Sequence, residues 1–569
     1  MARTMLSASL PATESHAAPF SVPAKLSALV RSLHLDDPLL VALMAIAFVL
    51  RLVFWAYTRR IWEDALITLL HSENFYHGLG ITHFKVDDPK PLHGFTSPLS
   101  LLVPLIADGI HLGWGSPFQK LLSLIAGPVA VWFGYRIVRD YLASSSLAAA
   151  VLAAGYLAIE HHQILWGMAG METQLAIALL LASIYFLLSG NTKGCAITSG
   201  LCLLARPDFI LWVAIAFAAF VYASYLGKEL KPLLLFIGIV TVTYAPWLVF
   251  TTLYYGSPIP NTVIAKRLGY PGFWEVAPSL RSLIVSSVQV FGSLCEPLEP
   301  VFGGNGTGFI PLVPGRWLGG FWMAMLCVTV IAVGLIAEVV RRRWRFWPVY
   351  SFAALFASFL VFAAPIRYEW YLAPLCAVLA LLLGKGLADI TSLLPVKSGA
   401  PIAWLLAVTY LASFAVVLPT TFRAERNIQQ IIEDKVRIAI GIYLSQKPFG
   451  TTIAGEPLGY IGYYSRQTYY DYPGLCSRKV VRWLQAHKYP RRINMIRVFA
   501  YLKPDYIVLR KKEYDDFVTH ADGAFLEKEY HLEREFAVSE KDGIKLFHPE
   551  RNADLAFLLF ARSSKLPRN

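Results

Sequence analysis

Two adjacent carboxylates near the start of the chain are of the type that acid–base chemistry requires. Glu63 and Asp64 follow the first long apolar run, Pro38 to Tyr57, and lie in the polar stretch from Arg59 to Pro98. A carboxylate near lipid is costly unless it faces a watery cavity, so it is a functional candidate in a membrane protein. The sequence therefore predicts Asp64, with Glu63 beside it, as a catalytic carboxylate. Solvated loop acids at a helix end are the alternative.

Three cations are placed where they could hold a phosphate. Arg206 lies in the proline-broken turn LARPD, Lys266 lies in the loop segment YYGSPIPNTVIAKR, and Arg367 begins the segment RYEWY. Guanidinium and ammonium groups both bind phosphate oxygens, so we predict phosphate binding by these side chains. A local pair with Asp208 would also explain Arg206, and contact with lipid headgroups would also explain Lys266.

Four polar residues in the same loops are candidates for contact with an acceptor or substrate. They are His93 and Thr96 in LHGFTSP, Glu172 in GMAGMET, and Asn261 beside Lys266. Glu172 would also satisfy unpaired amides as a helix cap. His161 and His162, with Glu160, lack the spacing of a metal site on their own. No cofactor is expected, although a divalent metal remains possible.

The amino-acid composition is typical of a membrane protein. Of 569 residues, 56% are hydrophobic and 16% are charged, with a mean hydropathy of +0.51, whereas soluble proteins have roughly 25% charged residues. The net charge of +13 comes largely from short basic clusters between apolar runs, which mark cytoplasmic loops. We therefore interpret the charge as orientation and attraction to membrane lipid rather than as a nucleic-acid footprint.

Eleven apolar runs approach the roughly 20 residues that a membrane-crossing helix needs. They begin with Pro38 to Tyr57 and end with Ile402 to Leu418. The run Pro98 to Trp114 is read as an interfacial or re-entrant helix, because only then do the basic clusters fall on one side. This arrangement predicts a bacterial inner-membrane protein with a cytoplasmic N-terminus and outward loops 58–119 and 256–316.

The chain divides into three parts on these grounds. Residues 1–37 are predicted to be a cytoplasmic tail, and 38–419 a polytopic α-helical domain. Residues 420–569 are richer in charge and carry short apolar runs, which predicts a periplasmic α/β domain. Within it TTIAG, DYIVL and IKLF have the pattern of strands, and RKVVRWLQAH and KEYDDFV that of helices.

Taken in order, WEDALIT, ENFYHGLG, LHGFTSPL, GMAGMET, LARPD and YYGSPIPNTVIAK resemble the GT-C superfamily of membrane glycosyltransferases. The similarity is greatest to the branch of the mycobacterial terminal arabinofuranosyltransferase. It is more distant to lipid A aminoarabinose transferase and protein O-mannosyltransferases. Two positions depart from that branch, where Leu66 and Phe95 stand in place of its aromatic residue and tyrosine.

The resemblance implies an inverting glycosyl transfer from a polyprenyl-phosphate sugar to a cell-envelope glycan or lipid. The sugar would be a pentofuranose if the chain follows the arabinofuranosyltransferase branch. The acidic residue of the first outer loop would be the base, and this pair falls on Glu63 and Asp64 without deciding between them. In such a displacement a base takes the acceptor proton while a cation holds the departing phosphate.

Two other classes share part of this pattern. A lipid-linked-sugar transporter or flippase would also have many spans and buried charge, but would favour internal repeats and midspan charges. An O-antigen-type polymerase or ligase would also have a large outer loop, but without the early acid pair. The missing repeat and the charges at the outer ends of the runs favour a transferase.

Overall fold

The computed structural model describes residues 36–83, 91–270, 279, 281, 298, 320–341, 344–364, 368–487, 491–543 and 554–563. Four sequence-based predictions fall wholly or mostly outside these ranges. They are the tail up to residue 35, the outward loop beyond residue 270, the phosphate-binding role of Arg367, and the strand IKLF.

The first part of the chain is helical throughout its described length. Its helices are α1 (Pro38–Thr58), α2 (Glu63–Tyr76), α3 (Pro98–Ile110), α4 (Gly115–Ile137), α5 (Leu147–Ile159), α6 (His161–Met168), α7 (Thr173–Leu188), α8 (Thr192–Ala205), α9 (Ile210–Gly227), α10 (Lys231–Tyr255), α11 (Asn261–Gly269), α12 (Gly320–Val340), α13 (Trp347–Phe362), α14 (Leu372–Thr391) and α15 (Val396–Asn427). All eleven apolar runs predicted as spans are therefore helical over most of their length.

Length and composition separate these helices into two groups. Six helical segments are long and apolar enough to cross a membrane, and α6 and α7, which meet at 116°, make a seventh if they count as one broken span. Shorter apolar helices are found at the segments predicted for α5, α8 and α13, at Met325–Val340 within α12, and at α3. The protein is thus a multi-pass membrane protein with six or seven such segments among its described helices, against the eleven spans predicted.

Local sequence sets where the first helices begin. Asp37 precedes Pro38, and its carboxylate accepts the backbone N–H of Leu39 at 3.0 Å. Ser97 likewise accepts the N–H of Ser100 at 3.2 Å, with Pro98 at the first helical position, as its sequence predicts. Such caps satisfy amides that have no partner within the helix. Each cap fixes a helix end beside the polar loops.

The last membrane helix continues directly into the C-terminal domain. After α15 the chain forms π-type turns from Ile428 to Arg437 and then α16 (Ile438–Ser445). The predicted domain boundary at residue 420 therefore lies inside a helix. Ile440 and Leu444 of α16 pack in a core cluster with Ile453 and Val508 of the sheet described next, so the helix belongs to both parts.

The C-terminal domain is built on a five-stranded mixed sheet. Its strands are β1 (Thr452–Gly455), β2 (Thr468–Asp471), β3 (Tyr506–Arg510), β4 (Tyr530–Ala537) and β5 (Ala556–Arg562), in the order β2-β1-β3-β5-β4. The β1–β2 and β1–β3 pairs are parallel, and β5 is antiparallel to both β3 and β4. The predicted strands TTIAG and DYIVL correspond to β1 and β3.

Helices fill the connections of this sheet. They are α17 (Gly459–Ser465), α18 (Arg478–Ala486), α19 (Arg491–Leu502), α20 (Lys511–Thr519), α21 (Ala524–Glu529) and α22 (Glu540–Gly543). The predicted helices RKVVRWLQAH and KEYDDFV correspond to α18 and α20. A core of Tyr472, Val480, Phe499 and Ile507 lies between helices and sheet, which confirms an α/β domain.

Candidate active site

A cavity of about 380 Å³ lies where the loops at one end of the helices meet. Its walls come from α2, α3 and the loop before it, the bend between α6 and α7, the turn after α8 with the start of α9, α11, the end of α13, the turn before α14, and one residue of the C-terminal domain. The charged residues among its lining are Asp64, Glu172, Arg206, Asp208 and Lys266. Two acids and two cations predicted from sequence thus lie in one cavity.

Asp64 lies in the first turn of α2 and lines this cavity. The N-terminal end of a helix favours a negative charge there. Burial nevertheless raises the pKa of Asp64 above its ordinary value, while the ammonium of Lys266 acts in the opposite direction. A carboxylate with a raised pKa beside a cation can take up a proton at a pH nearer to neutrality than an exposed aspartate.

Glu63 points away from the cavity, toward the C-terminal domain. Its Oε1 accepts the backbone N–H of Gly459 at 2.9 Å, and its Oε2 accepts from Arg437 Nη1 at 3.1 Å. Burial raises the pKa of Glu63 to about 7, against the lowering effect of Arg437. Because both carboxylate oxygens already bind protein groups, Glu63 is not positioned as the base. The two predicted acids therefore differ: Asp64 lines the cavity, whereas Glu63 contacts the C-terminal domain.

Lys266 lies in the last turn of α11 and also lines the cavity. Its ammonium donates to the Tyr371 hydroxyl at 3.2 Å and lies 5.0 Å from the centre of the Tyr368 ring. Burial lowers the pKa of Lys266, but Tyr371 and Asp64 together raise it above its ordinary value. The side chain is therefore a cation held beside the aromatic wall.

Arg206 follows α8, where Pro207 stops the helix and opens a 3₁₀ turn. Its guanidinium forms the predicted local pair with Asp208, at 3.1 Å from Nε and 2.7 Å from Nη2. It also lies 3.8 Å from Glu172 and 4.9 Å from the centre of the Tyr371 ring. Arg206 therefore lines the cavity with much of its charge already matched by protein carboxylates.

The remaining predicted substrate-binding residues separate into two groups. Thr96 lines the cavity and shares a 2.9 Å hydrogen bond with Thr262, and Glu172 lines it without a side-chain cap bond to α7. His93 and Asn261 are absent from the lining. His93 stacks on Tyr255 with ring centres 4.7 Å apart, so its ring is part of an aromatic core.

Asn261 is directed to the C-terminal domain instead of a substrate. Its amide donates to the carbonyls of Gly474 at 2.7 Å and Leu475 at 2.9 Å. Both amide hydrogens are used in this way, so the predicted substrate contact is replaced by a contact between domains. A sequence gives no sign of it, because these partners lie 213 and 214 residues away.

Several residues of the cavity lining are not among the predicted site residues, and three of them are Tyr371, Thr262 and Leu475. Tyr371 lies in the segment RYEWY, where its position close to the cation Arg367 was a usable signal. Thr262 lies next to Asn261 inside the segment YYGSPIPNTVIAKR, and Leu475 lies in the C-terminal domain. All three contribute to the walls through tertiary folding.

A group of possible metal ligands lies outside the cavity lining. Glu160, His161 and His162 have ligand atoms within 4.8 Å of one another at the junction of α5 and α6. Glu160 Oε1 is 3.1 and 2.9 Å from the Nδ1 atoms of the two histidines and accepts the backbone N–H of His162 at 2.8 Å. Because the carboxylate already holds this corner together, the group fits a structural role better than a resident metal.

Comparison with known proteins identifies the fold. A family model described as "Domain of unknown function (DUF8728)" matches residues 426–556. No curated protein matches the chain. Among solved structures, the archaeal oligosaccharyltransferase AglB from Archaeoglobus fulgidus, in complex with an inhibitory peptide and a dolichol-phosphate, has a TM-score of 0.52 at 13% identity, covering 94% of this chain and 75% of that one.

Two further structures are similar over most of the chain. The Archaeoglobus fulgidus oligosaccharyltransferase in complex with Zn and sulfate has a TM-score of 0.52 at 14% identity, covering 86% of this chain and 71% of that one. ArnT from Cupriavidus metallidurans bound to undecaprenyl phosphate has a TM-score of 0.48 at 11% identity, covering 93% and 99%. The likeness to the oligosaccharyltransferases shows a GT-C membrane fold, here with a C-terminal α/β domain.

Proposed function

We propose that this GT-C chain is an inverting glycosyltransferase that takes a sugar from a polyprenyl-phosphate donor and passes it to a hydroxyl of a cell-envelope glycan or lipid. The supporting observation is the shared cavity, whose lining includes both Asp64 and Lys266, and these two groups interact electrostatically. An acid that can act as a base and a cation that can hold a phosphate are the two groups that such a displacement needs.

The walls of the cavity suit an amphipathic donor. Beside the charged residues they include apolar side chains of different helices, namely Pro104, Ile210, Val263 and Phe359. A polyprenyl phosphate has a charged head and an apolar chain, so it would lie with its phosphate near Lys266 and its chain along these residues. Arg206 would orient the sugar–phosphate end through those of its N–H groups that do not bond to Asp208.

The reaction follows from this arrangement in one displacement. Asp64 takes the proton of the acceptor hydroxyl, whose oxygen attacks the anomeric carbon on the face opposite the phosphate. The bond between that carbon and the phosphate oxygen breaks, and its electron pair leaves with the polyprenyl phosphate. Lys266 stabilises the negative charge that builds up on the leaving phosphate. The products are an inverted glycoside, free polyprenyl phosphate and protonated Asp64.

The finer assignment follows the sequence resemblance. The motifs around Asp64 are most similar to the arabinofuranosyltransferase branch, so we propose a pentofuranose as the transferred sugar. The acceptor would be reached on the outer face of a bacterial inner membrane, because the basic clusters predict that the loops around the cavity face outward. The sugar is tested by the choice of donor, and the side of the membrane is tested by labelling the protein with a reagent that cannot cross the membrane.

Membrane vesicles provide the direct test. Vesicles containing the wild type, Asp64→Asn or Glu63→Gln are given labelled undecaprenyl-phosphate arabinose, mannose, glucose or galactose, and new glycosidic bonds are measured. We expect the wild type to transfer one of these sugars and Asp64→Asn to lose about 10²–10⁴-fold in rate, the usual contribution of a general base.

Three outcomes would contradict the proposal in different ways. If Asp64→Asn is as active as the wild type while Glu63→Gln is inactive, the base is misassigned. If neither substitution matters, the transferase assignment fails. Label that crosses the membrane without a new glycosidic bond would indicate a transporter.

A further inference from the structure

The C-terminal domain holds both helices that carry the proposed catalytic groups. We propose that Glu63 and Asn261 are positioning residues, through which this domain fixes Asp64 of α2 and Lys266 of α11 at their places in the cavity lining. This assigns a role to the domain matched by a family model of unknown function, and it rests on the proposed function only where Asp64 and Lys266 are called catalytic.

The hold on α2 acts on the residue next to Asp64. Glu63 binds the backbone N–H of Gly459 with one oxygen and Arg437 with the other. The fit is tight as well as polar, since a methyl group on Gly459 would collide with the side chain and backbone carbonyl of Glu63. A shift of the domain at Gly459 would therefore move the first turn of α2, and Asp64 with it.

Arg437 is itself held by several carboxylates. Its Nη2 donates to Asp554 at 3.0 Å, and its Nη1 donates to Glu433 at 3.1 Å. Asp554 also accepts from Arg510 Nε at 2.5 Å, at the end of β3. These buried or half-buried ion pairs tie the anchor of Glu63 to the sheet, and hydrogen bonds to charged groups of this kind are stronger than neutral ones.

The hold on α11 acts at both ends of the helix. At its start, Asn261 binds the carbonyls of Gly474 and Leu475. At its end, Gly269 lies so close to Pro473 that a methyl group would not fit. Between these points Leu268 packs against the core of the C-terminal domain. Lys266 lies on a nine-residue helix whose two ends are fastened to one loop.

The same loop also forms part of the cavity wall. Leu475 lines the cavity directly after the carbonyl that Asn261 binds at Gly474. Misplacing a reacting group by about 1 Å can cost about 10²-fold in rate. A domain that contacts α2 and α11 and also lines part of the cavity is therefore placed to set the reaction geometry.

The test uses the full chain in detergent with two readouts that need no turnover. These are hydrogen–deuterium exchange of α2 and α11, and the Kd for undecaprenyl phosphate. For Asn261→Asp, whose new carboxylate faces two carbonyl oxygens, we expect α11 to exchange at least tenfold faster and the Kd to rise about tenfold. For Glu63→Ala, the first turn of α2 should exchange at least tenfold faster while the Kd changes less than twofold.

Turnover then separates the two positions. With the donor that the wild type uses, Glu63→Ala should lower kcat about 10–100-fold at nearly constant KM, whereas Asn261→Asp should mainly raise KM. Glu63→Gln, which keeps an oxygen for Gly459, should recover much of the lost rate. Gly459→Ala provides a second way to disturb the same contact if Glu63→Ala folds poorly.

A control contact on the same helix distinguishes the positioning of Asp64 from a general loss of contact between α2 and the C-terminal domain. Glu73, near the far end of α2, accepts from the Tyr463 hydroxyl at 2.5 Å and pairs with Arg466 of the same domain. Glu73→Gln should leave the exchange of the first turn, the Kd and kcat unchanged. The proposal is overturned if the exchange of α2 and α11 stays at wild-type rates, or if Glu73→Gln has the same effects. A wild type without transfer activity would refute the proposed function alone.

Discussion

Lys266 and Arg206 are both cations of the cavity, but they differ in how much charge they have to offer. Arg206 is paired with Asp208 and lies near Glu172. Lys266 contacts the Tyr371 hydroxyl and two aromatic rings, and no carboxylate lies within 4 Å of it among the described residues. Its ammonium is therefore the better partner for an incoming phosphate.

The pKa of Asp64 leads to a prediction on pH. The proposed base acts only when ionised, so transfer should fall as the pH drops through the pKa of Asp64, which burial raises above its ordinary value. Lys266 lowers this pKa. In Lys266→Gln the acid limb of the kcat profile should therefore move to higher pH.

The neighbouring Arg267 supplies the matched control for this measurement. It is exposed and carries the same charge, so Arg267→Gln should leave the acid limb where it is in the wild type. A Lys266→Gln limb that stays in place or moves to lower pH would show that Lys266 does not act on the base.

Tyr371 allows a second prediction at this scale. Its hydroxyl accepts from Lys266, while its ring lies under the guanidinium of Arg206. Tyr371→Phe keeps the ring and should weaken undecaprenyl-phosphate binding only about two- to fivefold. Tyr371→Leu loses both contacts and should weaken it about tenfold or more, since a cation over an aromatic face contributes about 0.5–2 kcal/mol. Equal effects of the two substitutions would argue against a role for the ring.

At the scale of elements, the bend between α6 and α7 brings Glu172 to the cavity. Gly170 allows it, with φ of +88°, and a methyl group there would lie 3.3 Å from the Cβ of Ala65 and 3.4 Å from Ile61. The bend therefore packs directly against the first turn of α2. This contact is one reason why two loops far apart in sequence form one site.

Gly170→Ala should destabilise the protein through both backbone strain and crowding. The left-handed conformation alone costs about 1–2 kcal/mol for a residue with a side chain. Gly190 has a φ of +75° and open space around it, so Gly190→Ala reports the strain alone. Thermal unfolding in detergent should show a larger loss for Gly170→Ala, and equal losses would mean that the contact with α2 yields easily.

Sequence patterns predicted the helices better than the strands. The eleven apolar runs follow from local composition, and all of them are helical over most of their length. Strand β4 was missed because its residues alternate between buried and exposed only weakly, and β5 because its continuous apolar run AFLLFAR resembles a buried helix segment as much as a strand. Local pattern alone does not distinguish these cases.

Part of the cavity lining follows from local sequence, whereas other contacts depend on residues far apart in the chain. Residue type and the order of motifs indicate Asp64, Lys266 and Arg206 as candidates, and all three line the cavity. The roles of Glu63 and Asn261 depend on partners 396 and 213 residues away. Two adjacent acids look alike in a sequence, and only the packed C-terminal domain separates them.

At the scale of the whole molecule, the cavity and the basic clusters lie at opposite ends of the helices. Helix α7 begins beside Glu172 and ends before Lys193, and α14 begins beside Tyr371 and ends before Lys397. If the basic loops face the cytoplasm, as the sequence predicts, the cavity must face outward.

Cysteine labelling tests this orientation. Lys528 is exposed in the C-terminal domain, and Lys228 is exposed between α9 and α10. In spheroplasts, a membrane-impermeant maleimide should label Lys528→Cys, and it should label Lys228→Cys only after lysis. The five described native cysteines are buried, and Cys295→Ser removes the sixth. Labelling of Lys228→Cys in intact cells would reverse the assigned topology.

The uninterrupted passage from α15 to α16 limits how this protein can be recombined with its relatives. A chimera joined at residue 420 would connect segments of two different proteins in the middle of α15. Any mismatch at the junction would rotate the side chains beyond it about the helix axis. A chimera joined in the loop after Ser445 would keep the continuous helical segment from α15 to α16, with Arg437 still bound to Glu63. Domain swaps made there would still have to retain Gly459 and the loop of Pro473, Gly474 and Leu475, because these residues contact α2 and α11 and complete the cavity wall.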